Sequence, residues 1–336
     1  MKRLFFILAA LLAAAPLLRA ADDEFDLAEL GKSAVPIVGY DDKSGWLFGA
    51  AGFLYNDKEP SINAGLFMIS NFNNFHSATL NYDQRNTGPL SYTVHLLGER
   101  AFDYYYGEGD LTDPHNPLFM RLDHFEAKPT LLYRVIPHLR LGIFADFRSR
   151  QEEGSQLFPN ESSAAYGVHL EWDKRDKLIN TRQGDFFQLN LSRHPGEGDN
   201  AFVQLTLDLR RFTRLRRDLV LGSRLVSGAT FGRASYLFRY RLGGLDLLRG
   251  YKDNRFRGSE FYVFQEELRW QLKKWLSVNA SVDAGDIRDV AYQQLKTTAQ
   301  IGLRLGLPPD WGQKMRIDFS AGYDQTTFQI QFGEIF

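Results

Sequence analysis

The sequence contains no cysteine. A disulfide framework, a thiolate-bound metal and an N-terminal cysteine for lipid attachment are therefore excluded. Histidine is sparse too: His76, His95, His115, His124, His138, His169 and His194 are scattered, without the spacing of a metal site or a Ser/His pair. After residue 18 no run of about 20 apolar residues occurs, so no membrane-spanning helix is expected. The 40 Lys and Arg residues nearly balance 41 Asp and Glu, giving a net charge of −1 without the basic surplus of a nucleic-acid binder. Neither an enzyme nor a cofactor is expected from this inventory.

What is present begins with a secretory leader. Lys2 and Arg3 precede an apolar stretch from Leu4 to Leu18, so residues 1–20 are predicted to be a signal peptide. Residues 21–34 predict a short acidic periplasmic segment, either an extended lead-in or a small helix built on Phe25, Leu27 and Leu30.

From residue 35 the pattern changes to period two. Val203, Leu205, Leu207 and Leu209 alternate with Gln204, Thr206, Asp208 and Arg210; Ile301, Leu303 and Leu305 alternate with Gln300, Gly302 and Arg304. Such alternation means strands with one apolar face. The polar face repeatedly carries Arg beside Asp or Glu, which suits a charged barrel lumen, while an apolar face on the outside suits lipid. With 27 Phe and 15 Tyr there is enough aromatic material for interfacial girdles. Sixteen strands fit between 35 and 336, and the even count puts both termini on one side of the membrane. The predicted fold is an all-β, 16-stranded antiparallel transmembrane barrel in the outer membrane of a bacterial cell. Pro129 falls within a strand and predicts a bulge or kink there. Glu266 interrupts an otherwise apolar outward row.

One connection is too long for a turn. Residues 231–258 form the sixth external loop, and its second half, RLGGLDLLRGYKDNRFRG, carries four glycines that let the backbone bend and lie close to other atoms. On the strand that follows, alternation places Gln265, Glu267, Arg269 and Gln271 inward. On the next, it places Ser277, Asn279, Ser281, Asp283 and Gly285 inward. Asp283 is thus a lumenal carboxylate by pattern alone.

Arg249-Gly250-Tyr251 resembles the arginine-glycine-aromatic loop motif of the BamA/TamA superfamily, also called the bacterial surface antigen family. Val35 to Tyr40 resembles its first strand. Trp172 to Asp176 with Thr181 to Gly184 resembles its periplasmic D-x-R-D…T-x-G turn, with one extra residue before the glycine. Asp283-Ala284-Gly285 resembles its D-x-G strand, although Ser281 stands where an aromatic is usual. Phe328 to Phe336 is similar to its closing strand. The periplasmic polypeptide-binding (POTRA) domains usual in that superfamily are not expected in this sequence. The resemblance implies that the sixth loop folds into the barrel, with Arg249 latched to Asp283 and Glu267 and Arg269 nearby. It also implies lateral opening between first and last strands, where Gly333 would weaken the seam and Phe332 and Phe336 would carry the terminal aromatic signal. The implied function is insertion of outer-membrane proteins or translocation of a polypeptide. The implied partners are outer-membrane lipid, unfolded outer-membrane or secreted proteins, and a separate periplasmic partner. A passive or gated pore for small solutes is the alternative.

Overall fold

The computed structural model describes residues 31–41, 45–56, 61–87, 89–107, 117–153, 160–177, 180–196, 201–244, 246–289, 294–306 and 314–332. The predicted signal peptide, the Phe25–Leu30 helix, Gly333 and Phe336 lie outside the described residues. The strands are β1 (Gly31–Asp41), β2 (Gly45–Asn56), β3 (Ser61–Ser70), β4 (His76–Thr87), β5 (Leu90–Tyr105), β6 (Leu118–Ile136), β7 (Leu139–Glu153), β8 (Glu161–Asp173) and β9 (Gly184–His194). There follow β10 (Phe202–Arg214), β11 (Leu219–Gly232), β12 (Tyr240–Leu242), β13 (Phe256–Gly258), β14 (Glu260–Lys273), β15 (Leu276–Arg288), β16 (Lys296–Gly306), β17 (Lys314–Ala321) and β18 (Thr326–Phe332). Sixteen of them form one antiparallel sheet in chain order, and among the described residues β12 pairs only with β13.

The two faces divide as the alternation requires. Phe264, Leu268 and Trp270 on β14 are exposed on the outer face, while Gln265, Glu267 and Arg269 between them are buried on the inner one. An outward apolar band and an inward polar face are what a bilayer and a water-filled lumen select from opposite sides of one strand. The sheet order begins at β1 and ends at β18. Those two edges face each other closely enough that a Cβ on Gly39 would lie 3.8 Å from the Ile330 carbonyl. Among the described residues they share no ladder, so the barrel is nearly closed with a seam at this point.

Two expectations change. β1 starts at Gly31, four residues before the predicted strand, because Lys32 to Ala34 continue the register opposite Leu54 to Gly52 although they lack apolar alternation. Pro129 produces no bulge: Ala127 pairs with Phe147 and Thr130 with Phe144, so the register is the same on both sides of a gap at 128–129. The proline forfeits its ladder bond without adding a residue, and the irregularity on this edge falls between Arg134 and Ile136, next to the tight turn. Glu266 keeps its outward place by accepting a hydrogen bond from Ser223 Oγ, directly across on β11, at 2.9 Å.

Candidate functional site

The connection from β11 to β14 is built rather than loose. A single 3₁₀ turn, Tyr236–Phe238, leads into β12, and the β12–β13 hairpin pairs Tyr240 with Gly258 and Leu242 with Phe256. Gly243 and Gly244, with φ of +99° and +106°, turn the chain out of β12. At Gly243 a Cβ would stand 2.3 Å from the Lys252 carbonyl, so only glycine fits. Leu248 also sits in the left-handed region at φ +53°, unusual for a branched side chain, and its carbonyl accepts the N–H groups of Gly250 and Tyr251. That turn presents Arg249 to the barrel wall.

Arg249 is 1 % exposed. Its Nε and Nη2 donate to Asp283 Oδ2 and Oδ1 at 3.0 and 2.6 Å, and its main-chain N–H donates to Asp283 Oδ2 at 2.9 Å. Nη1 donates to Glu267 Oε2 at 2.9 Å. The planar guanidinium thus spans two carboxylates on adjacent strands, a geometry lysine cannot reproduce. Burial by itself would lower the Arg249 pKa; the Asp283 hydrogen bonds and the charges of Asp283 and Glu267 outweigh it and hold the pKa above the ordinary arginine value.

The next two residues contact a different part of the wall. A Cβ on Gly250 would lie 2.8 Å from Ala321 C and Gly322 N, so the backbone rests directly on the turn after β17. Tyr251 is buried with its ring 5.1 Å from Phe256, and its hydroxyl accepts the Tyr323 N–H at 3.4 Å. Lys252 N–H donates to Gln325 Oε1 at 2.9 Å.

Beneath the hairpin lies an apolar patch on the inner face. Val226, Phe261, Val263 and Ile287 are covered by Leu242, Leu248, Tyr251 and Phe256 to form one buried cluster. Each such side chain contributes about 1.5–3 kcal/mol on full burial. The cluster of eight such side chains therefore supplies more stability than the ion pair.

The hairpin also reaches the opposite wall. Arg257 Nη2 and Asn254 Nδ2 donate to the two carboxylate oxygens of Asp103 on β5, at 2.8 and 2.9 Å. In the sixteen-strand order β5 stands fifth and β15, which carries Asp283, stands thirteenth. Eight places separate them in that order, so the connection bonds to two distant parts of the sheet.

Of the predicted site residues, the structure brings Arg249, Asp283 and Glu267 into direct contact. Arg269 touches Glu267 instead of Arg249, donating from Nε to Oε1 at 2.6 Å. Gly285 lies against β14, where a Cβ would meet the Tyr262 carbonyl at 2.4 Å. Phe332 ends β18 opposite Met315. Ser281 hydrogen-bonds Gln300 across the ladder at 3.2 Å. In the periplasmic turn, Asp173 accepts Arg175 Nε and Nη2 at 2.9 and 2.8 Å, and Gly184 at φ +119° passes so close to the Lys174 carbonyl that a Cβ would clash.

The sequence reading missed Asp103, Arg257, Asp246 and the apolar patch. Arg224 Nη1 donates to Asp246 Oδ1 at 2.8 Å while its Nη2 donates to Asp208 Oδ2 at 2.9 Å, tying the connection to β10 and β11 as well. The one signal available was the run Phe261-Tyr262-Val263-Phe264, which is apolar on both faces where a lumen wall should alternate.

Comparison with known proteins agrees with this architecture. The Omp85 superfamily domain matches residues 58–334. The structure is similar to BamA from Haemophilus ducreyi lacking POTRA domains 1–3, with a TM-score of 0.63 at 13% identity, over 91% of this chain and 70% of that one. It is also similar to CdiB from Escherichia coli, with a TM-score of 0.62 at 12% identity over 93% of this chain, and to CdiB from Acinetobacter baumannii, with 0.56 at 14% over 89%. The chain spans 63% and 59% of those two CdiB chains. No curated protein matches in sequence. A family match over most of the chain, a sixteen-strand order and an apolar outer face lead to one conclusion: the chain belongs to the Omp85 superfamily and is a barrel of the bacterial outer membrane.

Proposed function

We propose that this barrel handles polypeptides at the outer membrane, inserting other barrels or passing an extended chain, with the 233–259 connection lying inside the lumen as a strut. The observation that carries the reading is the two-ended anchoring of that connection, Arg249 on Asp283 and Arg257 on Asp103 across the barrel. A segment held this way braces the wall while, among the described residues, the β1–β18 seam has no ladder of its own. An unpaired strand edge is a template for another strand, which is how a sheet accepts a polypeptide. Membership in the Omp85 superfamily and the resemblance of the loop motif to the BamA/TamA superfamily support the same reading.

The test is the folding rate of a small unfolded outer-membrane barrel into liposomes with and without this protein. Acceleration that weakens in Arg249→Ala is expected. No acceleration by folded, correctly oriented protein would favour the pore reading, which the cavity between the hairpin and β1–β7 supports and which single-channel conductance would register.

A further inference from the structure

A cavity of about 460 Å³ lies between the β12–β13 hairpin and the inner wall, reaching from Arg150 on β7 to Gly39 and Ile330 at the seam. Arg150 is 4 % exposed and lines this cavity. Its carboxylate neighbours are already engaged. Glu161, directly across on β8, accepts a hydrogen bond from Ser235. Asp146 and Glu126 belong to Arg148, at 2.6 and 3.9 Å. Among the described residues no carboxylate lies within ion-pair distance of Arg150, whose guanidinium instead faces the Phe238 ring at 5.6 Å.

Arg241 adds a second, solvent-exposed guanidinium at the same cavity, directly across the hairpin from Arg257. Arg257 has Asp103, but among the described residues Arg241 has no carboxylate partner. His124, cross-strand from Arg150, leaves Nε2 without a hydrogen-bond partner. Glu99, Asp103 and Asp253 also line the cavity, and none of them reaches Arg150 or Arg241 at ion-pair distance. Arg150 is therefore a buried cation without a carboxylate in direct contact, which is costly, and a bound anion lowers that cost.

We propose that this chamber binds a phosphate-class oxyanion, anchored by Arg150 and completed by Arg241 and Arg257. Guanidinium groups match phosphate oxygens with paired hydrogen bonds. Two sources offer that chemistry: free phosphate entering from solvent, and a lipid-borne phosphate entering through the seam that the cavity touches. The proposal is independent of whether the barrel handles polypeptides.

Calorimetric titration of the folded barrel, in neutral detergent and low-chloride buffer, tests it with inorganic phosphate in one arm and dihexanoyl phosphatidic acid in the other. Saturable one-site binding is expected, weakened about tenfold or more in Arg150→Gln, the loss of one charged donor. Arg241→Gln, on the hairpin rather than the wall, gives a second reading if Arg150→Gln fails to fold. Comparable affinity in both arms assigns the site to free phosphate, and tighter phosphatidic acid binding that both variants abolish assigns it to lipid. No saturable binding in either arm, or wild-type binding by folded variants, overturns the proposal.

Discussion

Asp283 accepts three hydrogen bonds from Arg249, two from its guanidinium and one from its own main-chain N–H. The main-chain bond matters because it fixes the backbone, so the carboxylate reads the position of the chain as well as its charge. Arg249→Ala keeps that bond and removes the other two, leaving Asp283 with Gln265 Nε2 at 3.1 Å and Glu267 with Arg269. The expected cost is about 3 kcal/mol, from stranded buried charge. Denaturant unfolding in micelles measures it. Lysine at the same place should recover only part, having one point donor for two carboxylates.

The far anchor predicts a second outcome. Trypsin sites at Lys252, Arg255 and Arg257 should be protected in the native barrel and cut in Arg249→Ala. Arg257→Ala should open the remaining sites from the Asp103 end, and the double variant should open them faster than either single one. Unchanged protection in both single variants would remove the strut from consideration.

Gly250→Ala should reproduce the Arg249→Ala phenotype with every charge intact. The added Cβ meets the backbone of Ala321 and Gly322 at 2.8 Å, where no flexible side chain can yield. The segment must lift, at about 1–3 kcal/mol. Because lifting also lengthens the Arg249 hydrogen bonds, the combined variant should cost less than the sum, as coupled sites do. Additive costs would mean that the two residues act on separate contacts.

The strands and their faces were legible because a barrel wall imposes period two on every strand, and that rule placed Asp283 and Glu267 inward without any structure. The reach of the connection was not. Nothing in the spacing of Arg257 and Asp103, 154 residues apart, announces that they meet, because a hairpin's direction depends on tertiary packing. β12 and β13 are three residues each, too short to alternate. Pro129 was legible in part: its missing N–H leaves a gap in the ladder at 128–129, but no extra residue bulges because the register is unchanged on either side.

Ser223 and Glu266 form a polar pair on the lipid face, midway along β14's outward row. A lipid-facing hydroxyl and carboxyl without each other have nothing to bond. Ser223→Ala should therefore destabilise by about 1–3 kcal/mol, whereas Ser223→Ala with Glu266→Leu should be neutral or stabilising, since both partners leave together. Unfolding titrations in phosphatidylcholine vesicles distinguish these outcomes; a double variant worse than the single one would show that Glu266 serves another contact.

The seam yields the functional test. Gly39 and Gln329 line the same cavity from β1 and β18, and the natural chain has no cysteine to interfere. Gly39→Cys with Gln329→Cys should form a disulfide on oxidation if the edges approach as closely as the Gly39–Ile330 contact indicates. A covalent tie there prevents strand separation without touching the Arg249 contacts. Oxidised protein should lose its acceleration of client folding and regain it on reduction, with heat-modifiable migration on a gel showing that the barrel stays folded throughout. Full activity in the oxidised state would mean that the polypeptide does not pass between β1 and β18, and would shift the route to the lumen, where Arg249→Ala should then raise conductance.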